Sequence, residues 1–136
     1  MNKYIVLTAL FFIVVPGISV TNADIRHGLW RIETSIDMPG MAMKLPPQRK
    51  TFCINKENYV PRDRKVKKDC KYNQERDGNS FSWHMTCTKP KMVQKGSIKY
   101  AGRRMRGSLE TTTYHRGRKA LTTVKLNGQY LGSCKK

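Results

Sequence analysis

The sequence predicts an all-β protein: an antiparallel meander that forms a small barrel or a strongly curved sheet and is stapled by two disulfides. Short runs of alternating apolar and polar residues are separated by Gly-containing turns, and no helical stripe lasts beyond one or two turns. All four cysteines lie after residue 24, as in the disulfide framework of a small exported domain. Strands with one apolar face must curve or close to keep that face from water. A two-sheet sandwich is the alternative.

The first 23 residues have the features of a secretory signal peptide. Lys3 precedes an apolar run over residues 4–15, Pro16 and Gly17 interrupt it, and small residues end at Ala23. The run is far shorter than the ~20 residues that span a bilayer, so a retained anchor is the weaker interpretation. We expect a signal peptide at 1–23, no transmembrane segment after its cleavage, and a single exported β domain at 24–136.

The first strand is predicted at residues 28–37. Its alternation assigns Trp30, Ile32 and Ile36 to a buried face and the intervening residues, Arg31 among them, to the opposite face. A loop rich in Met and Pro follows over 38–47, and a second strand over 50–54 carries Cys53. Asn55 can then cap one short helical turn before a basic segment at 62–68.

Gly78 and Asn79 predict a two-residue hairpin turn between two strand-like runs. Partners across such a hairpin have numbers that sum to 157, which places Cys70 directly opposite Cys87. The pair is of the non-hydrogen-bonded type, with Cα atoms roughly 4.5 Å apart and within disulfide reach. Elimination then pairs Cys53 with Cys134. A zinc site is the alternative, but its cysteines usually come in close pairs, whereas here they are at least 17 positions apart.

The same register places Tyr72, Phe81, Trp83 and Met85 on the face of the cysteines, which predicts a core face. The rest of the chain is predicted to continue as a meander, for about eight strands in total. Its predicted strands are 93–100, 105–114, 120–126 and 129–134, joined by turns at 101–103, 116–118 and 127–128.

The chain carries 27 Lys and Arg against 9 Asp and Glu. Loss of Lys3 with the leader leaves 26 basic residues and a net charge of +17. Such a charge favours anionic partners. Because export argues against nucleic acid, we expect anionic lipid, lipopolysaccharide or an acidic cell-wall polymer. A solvated surface that only maintains solubility is the alternative.

Besides the segment at 62–68, the basic residues form two clusters beside turns. We interpret these turns as projecting from one end of the sheet, so that the two clusters form a single anion-binding patch; independently solvated loops are the alternative. The six residues are Arg103, Arg104, Arg106, Arg116, Arg118 and Lys119.

Several short motifs are spread across essentially the whole exported domain. They are Gly28-Leu29-Trp30, Met38-Pro39-Gly40-Met41-Ala42-Met43, Pro46-Pro47 with the following Cys53, Ser82-Trp83-His84-Met85-Thr86-Cys87, Gly96-Ser97-Ile98-Lys99-Tyr100-Ala101-Gly102 and Leu131-Gly132-Ser133-Cys134. Together, in this order and spacing, they resemble the bacterial exported domain-of-unknown-function 3617 (DUF3617) family. The resemblance implies a small periplasmic β-protein of a Gram-negative bacterium, with no catalytic residue or cofactor to carry over. The heavy Lys and Arg load departs from the family pattern.

Little in the chain suggests catalysis. None of the three histidines stands in a recognisable catalytic motif, and bridged cysteines leave no thiolate nucleophile. We therefore expect a non-enzymatic binding or structural protein that engages anionic envelope surfaces and needs no cofactor.

Two alternatives involve ligand binding. The first is a carrier of a small apolar ligand inside a barrel, in a cavity lined by Trp83, Phe81 and Tyr72, although side chains can equally fill so small an interior. The second is Cu(I) binding by the thioethers of the 38–47 loop, which can instead fill the core as adaptable apolar groups. The candidate copper ligands are Met38, Met41 and Met43.

Overall fold

A computed structural model describes Gly17 and residues 24–62 and 66–135. Apart from Gly17, the predicted leader at 1–23 lies outside the described residues. Arg64 and Lys65 of the predicted basic segment also lie outside them. The described chain folds into seven strands: β1 (Gly28–Asp37), β2 (Gln48–Ile54), β3 (Cys70–Asp77), β4 (Ser80–Thr88), β5 (Lys91–Ala101), β6 (Arg104–His115) and β7 (Arg118–Gly132).

The strands form one antiparallel sheet in the order β2-β1-β7-β6-β5-β4-β3. Strands β3 to β7 form a continuous meander, and the last strand, β7, pairs with the first strand, β1. The predicted all-β meander is therefore confirmed in its form as a curved sheet. The sheet is not closed into a barrel, because β2 and β3 are its two separate edges, and it is one sheet where a sandwich has two. The sheet curves: Trp30 on β1 meets Tyr100 on β5 with ring centroids 5.1 Å apart, although β7 and β6 lie between their strands.

The core lies on the inner, concave face of this sheet. Trp30 is fully buried, and its Nε1 donates a hydrogen bond to the Arg26 carbonyl at 2.9 Å. The segment between β2 and β3 crosses over this face, where Val60 is buried and Tyr59 stacks on Phe81 at 4.8 Å. The helical turn predicted at Asn55 is wrong, because the segment starts with a tight turn. In this turn the backbone NH of Glu57 donates a hydrogen bond to Asn55 Oδ1 at 2.9 Å.

The hairpin of β3 and β4 is confirmed in its turn and in its register. Gly78 adopts a positive φ of 57°, and Cys70 lies opposite Cys87 with Cα atoms 4.0 Å apart in a disulfide. The second predicted disulfide, Cys53–Cys134, is also present, with Cα atoms 5.5 Å apart.

The turn predicted at Asn127 and Gly128 is wrong, because β7 runs through both residues. Gly128 serves packing: a Cβ there would lie 3.1 Å from Met105 and 3.5 Å from the Trp30 ring. A glycine inside a strand commonly marks such a close approach. The predicted seventh and eighth strands are therefore one strand of 15 residues.

The strand directions define two ends of the sheet. The turns at 78–79 and 102–103 lie at the end that we call upper, and the turns at 89–90 and 116–117 lie at the lower end. The 38–47 loop between β1 and β2 also emerges toward the lower end, since Asp37 pairs with Thr123 in the lower half of β7.

Candidate functional site

The two predicted arginine clusters lie at opposite ends of the sheet, so the single patch of six residues is wrong. Arg104 begins β6 at the upper end, and Arg118 follows the turn after β6 at the lower end. Successive turns of a meander alternate between ends, and one strand of 12 residues, about 36 Å long, separates these two turns. Whether either cluster binds anions stays a prediction.

The structure instead brings Arg104 and Arg106 together with two arginines from the start of the chain. Gln129 on β7 pairs with Arg31 on one side and with Arg104 on the other. One row further down the sheet, the cross-strand order is Arg49, Glu33, Asn127, Arg106 and Lys99. We call Arg31, Arg49, Arg104 and Arg106 the outer arginine face, because they project from the convex side opposite the core.

These four guanidinium groups line one shallow groove of about 430 Å³. Arg31 donates a hydrogen bond to Gln129 Oε1 at 2.9 Å, and Arg49 forms an ion pair with Glu33 at 2.6 Å. Glu33 is the single carboxylate in the lining. Arg104 and Arg106 have no side-chain hydrogen bond or ion pair to any described residue, so their donors are available to a ligand.

The other predicted basic residues lie elsewhere. Arg103 is at the upper turn, with its guanidinium 5.3 Å from the centre of the Tyr130 ring. Arg116, Arg118 and Lys119 are exposed around the lower turn.

The strand alternation correctly placed Arg31 on the face opposite the core. It did not indicate that Arg31 and Arg49 line a groove together with Arg104 and Arg106. Arg31 and Arg104 become neighbours only through the pairing of β1 with β7, which joins the two ends of the domain. A signal for that pairing exists in the sequence: a bridge between Cys53 and Cys134 requires the second strand and the C-terminus to be close.

A second concavity, which we call the inner groove, lies on the lower half of the core face. Its volume is about 620 Å³. Most of its lining is apolar, and its polar lining consists of Gln94 and three cations, Arg62, Lys67 and Lys89. The remaining lining residues are Val60, Pro61, Val66, Cys70, Tyr72, Trp83, Met85, Cys87, Pro90, Met92, Leu109 and Leu126.

Two of the three aromatic residues predicted to line an interior cavity, Tyr72 and Trp83, do line this groove. Phe81 does not; it is buried in the core beside Tyr59 and Tyr100. The Arg62 guanidinium lies 4.5 Å from the centre of the Tyr72 ring. Burial raises the pKa of Tyr72, and Arg62 offsets part of that rise, so the phenol is neutral at physiological pH.

The Met-rich loop at 38–47 does not fill the core, so this alternative to copper binding is wrong. Met41 is 51% exposed and Met43 is 78% exposed, whereas Met38 is partly buried. The backbone closes into a turn in which the Met41 NH donates to the Met38 carbonyl at 3.2 Å. Copper binding by these thioethers stays a prediction.

Other candidate chemistry is sparse in the part of the chain that the structure describes. It contains no group of three or more His, Cys, Asp or Glu side chains that could hold a metal ion, and no free cysteine. His84 and His115 are exposed on different strands, and His27 is hydrogen-bonded to the Tyr59 hydroxyl at 3.0 Å. No helix among these residues has the length and apolar character needed to cross a membrane.

Comparison with known proteins identifies the family. Neither a curated protein nor a solved structure matches the chain. Residues 25–134 match the family described as "Protein of unknown function (DUF3617)". This match covers both disulfides, both concavities and all seven strands, and the protein belongs to the DUF3617 family.

Proposed function

We propose that the protein is an exported, non-enzymatic binding protein of the bacterial cell envelope, where it engages anionic surfaces through its outer arginine face. The observation that carries this proposal is the convergence of four arginines from three strands, β1, β2 and β6, on one open groove with a single carboxylate among its described lining residues. We place the protein in the periplasm of a Gram-negative bacterium, in accord with the leader-like N-terminus and the two disulfides.

The chemistry of the outer arginine face fits phosphate or carboxylate groups. A guanidinium donates two parallel hydrogen bonds to such a group, and its charge is permanent. Neighbouring strands are about 4.8 Å apart, so the backbones of Arg31 and Arg104, which flank Gln129, are about 10 Å apart. Arginines on separate strands of an open surface suit a layer or polymer of repeated anions better than one small enclosed anion.

The excess of positive charge extends well beyond this groove. One ion pair is found among the described residues, although they include eight carboxylates and many more cations. The net positive charge raises the local concentration of anionic partners and accelerates encounter at low ionic strength. The outer arginine face would then determine the orientation in which the protein meets its surface.

Vesicle binding by matched variants tests this proposal. Replacing Arg31, Arg104 and Arg106 with Gln removes three positive charges from the face. A basic residue near an anionic membrane contributes ~1 kcal/mol, so the affinity for vesicles of mixed phosphatidylcholine and phosphatidylglycerol should fall by about 100-fold. Binding of the wild type should also weaken as salt is added.

The control removes the same number of charges at the lower end, through Arg116→Gln, Arg118→Gln and Lys119→Gln. It should retain most of the affinity. Equal losses in the two variants would mean that net charge alone drives binding, and would contradict a role for the outer arginine face. Repeating the measurement with purified lipopolysaccharide and with an acidic cell-wall polymer would identify the preferred surface.

A further inference from the structure

The inner groove is an apolar surface that the described residues leave open. The described part of the segment between β2 and β3 packs Tyr59 and Val60 into the core on the upper half of the concave face. Below it, Met85, Met92 and Leu109 are only partly buried, although they point to the same side of the sheet as the core. The volume of about 620 Å³ is in the range, roughly 300–1,000 Å³, of pockets that enclose small molecules.

The floor of the groove is shaped by a glycine. A Cβ at Gly96 on β5 would overlap the ring of Trp83, which lies across the glycine from β4. The absent side chain lets the indole lie close against the neighbouring strand instead of projecting into the groove. Trp83 therefore forms a wall with only 7% of its surface exposed, and the space above it stays open.

The charged side chains among the described lining residues all have one sign. Arg62, Lys67 and Lys89 are exposed at the margin of the groove, and none of these described lining residues is a carboxylate. A cationic margin around an apolar floor is complementary to a molecule that has an apolar chain and an anionic head. It disfavours a cationic amphiphile with the same chain.

We propose that the inner groove binds the acyl chain of a single-chain anionic amphiphile, whose carboxylate or phosphate head contacts Arg62, Lys67 and Lys89. The chain would lie against Trp83, Met85 and Met92. This site is on the opposite side of the sheet from the outer arginine face and does not depend on it.

Chain length provides the first test. Isothermal titration with decanoate, dodecanoate and tetradecanoate, each below its micelle concentration, should show one site. Its affinity should rise about fourfold for each added methylene, the effect of moving that group out of water. Dodecyltrimethylammonium, which has the opposite charge, should bind at least tenfold more weakly than dodecanoate. Comparing dodecanoate with dodecyl phosphate would distinguish a free fatty acid from a phospholipid-type head.

Charge reversal provides the second test and separates the groove from the general basicity of the protein. Lys67→Glu with Lys89→Glu should weaken dodecanoate binding by tenfold or more. The matched control, Lys71→Glu with Lys95→Glu, makes the same change in net charge on exposed residues of the outer side and should bind like the wild type. Equal losses, or affinities independent of chain length, would overturn the proposal.

Quenching of tryptophan fluorescence by a bromine-labelled dodecanoate locates the bound chain. The wild type contains Trp30, fully buried, and Trp83, in the wall of the groove. Quenching should occur in the wild type and be largely lost in Trp83→Phe, which keeps Trp30 as the remaining fluorophore. Quenching that persists in this variant would place the chain elsewhere and contradict the proposed site.

Discussion

Tyr100 should make the protein sensitive to alkaline pH. This residue is 2% exposed on β5, and its hydroxyl donates a hydrogen bond to the Tyr59 carbonyl at 2.6 Å. Burial, with a smaller contribution from the neighbouring Tyr59, raises the pKa of Tyr100 well above the ordinary value of 10.0. The folded protein therefore keeps this phenol protonated at a pH where the unfolded chain loses the proton.

The sign of the effect follows from this difference. Below pH 10 the phenol is protonated in both states, and the stabilisation that it provides is complete. As pH rises from the unfolded pKa toward the folded one, the unfolded state alone releases a proton, and about 1.4 kcal/mol of unfolding free energy is lost per pH unit. Between pH 8 and pH 11, Tyr100 should therefore remove about 1.4 kcal/mol.

Replacement of Tyr100 with Phe separates this effect from the hydrogen bond. At pH 8 the variant should be less stable by about 1–2 kcal/mol, because the Tyr59 carbonyl loses its buried donor. At pH 11 the two proteins should be nearly equal in stability, since only the wild type loses the contribution of the phenol. Guanidinium unfolding followed by tryptophan fluorescence at both pH values gives the comparison. A stability difference that is the same at pH 8 and pH 11 would refute the reasoning.

Two further predictions concern the disulfides and the methionine loop. Replacing Cys53 and Cys134 with Ala opens a loop of 81 residues and should lower the unfolding free energy by about 4.5 kcal/mol in the chain-entropy model. Denaturant unfolding measures this loss. A loss below ~1 kcal/mol would contradict the model for this protein. If the 38–47 loop binds copper, Met41→Leu with Met43→Leu should abolish Cu(I) uptake in a competition with a chromogenic chelator, whereas unchanged uptake would exclude these thioethers as ligands.

The parts of the fold that could be predicted are those whose information is local. The β3–β4 hairpin combines a Gly-Asn turn, a strand alternation and two cysteines that agree on one register, so a shift by one residue would break all three. The same turn chemistry failed at Asn127 and Gly128. There the glycine makes room for Met105 on the neighbouring strand, which a Cβ at this position would approach to 3.1 Å. No local pattern distinguishes a glycine that turns the chain from one that makes room for a side chain on another strand.

The candidate sites depended on such distant pairings. The six basic residues could be identified from the sequence, but their arrangement required the alternation of turns and the pairing of β1 with β7. The outer arginine face takes two arginines from the first half of the chain and two from the second. The aromatic wall of the inner groove lies on the β3–β4 hairpin and could be predicted. Its cationic margin could not, because the segment between β2 and β3 brings Arg62 and Lys67 to the groove, and no local pattern gives the path of that segment.

An open sheet also explains where the disulfides lie. Both edges of the sheet are exposed to pairing errors, because an edge strand has a partner on one side only. Each edge strand here carries one cysteine: Cys70 on β3 is joined to Cys87 on β4, and Cys53 on β2 is joined to Cys134 beyond β7. A slip of one residue in β2 would move Arg49 from the outer arginine face to the core side. The bridges therefore hold the register on which both proposed sites depend, and their reduction should weaken anion and amphiphile binding together.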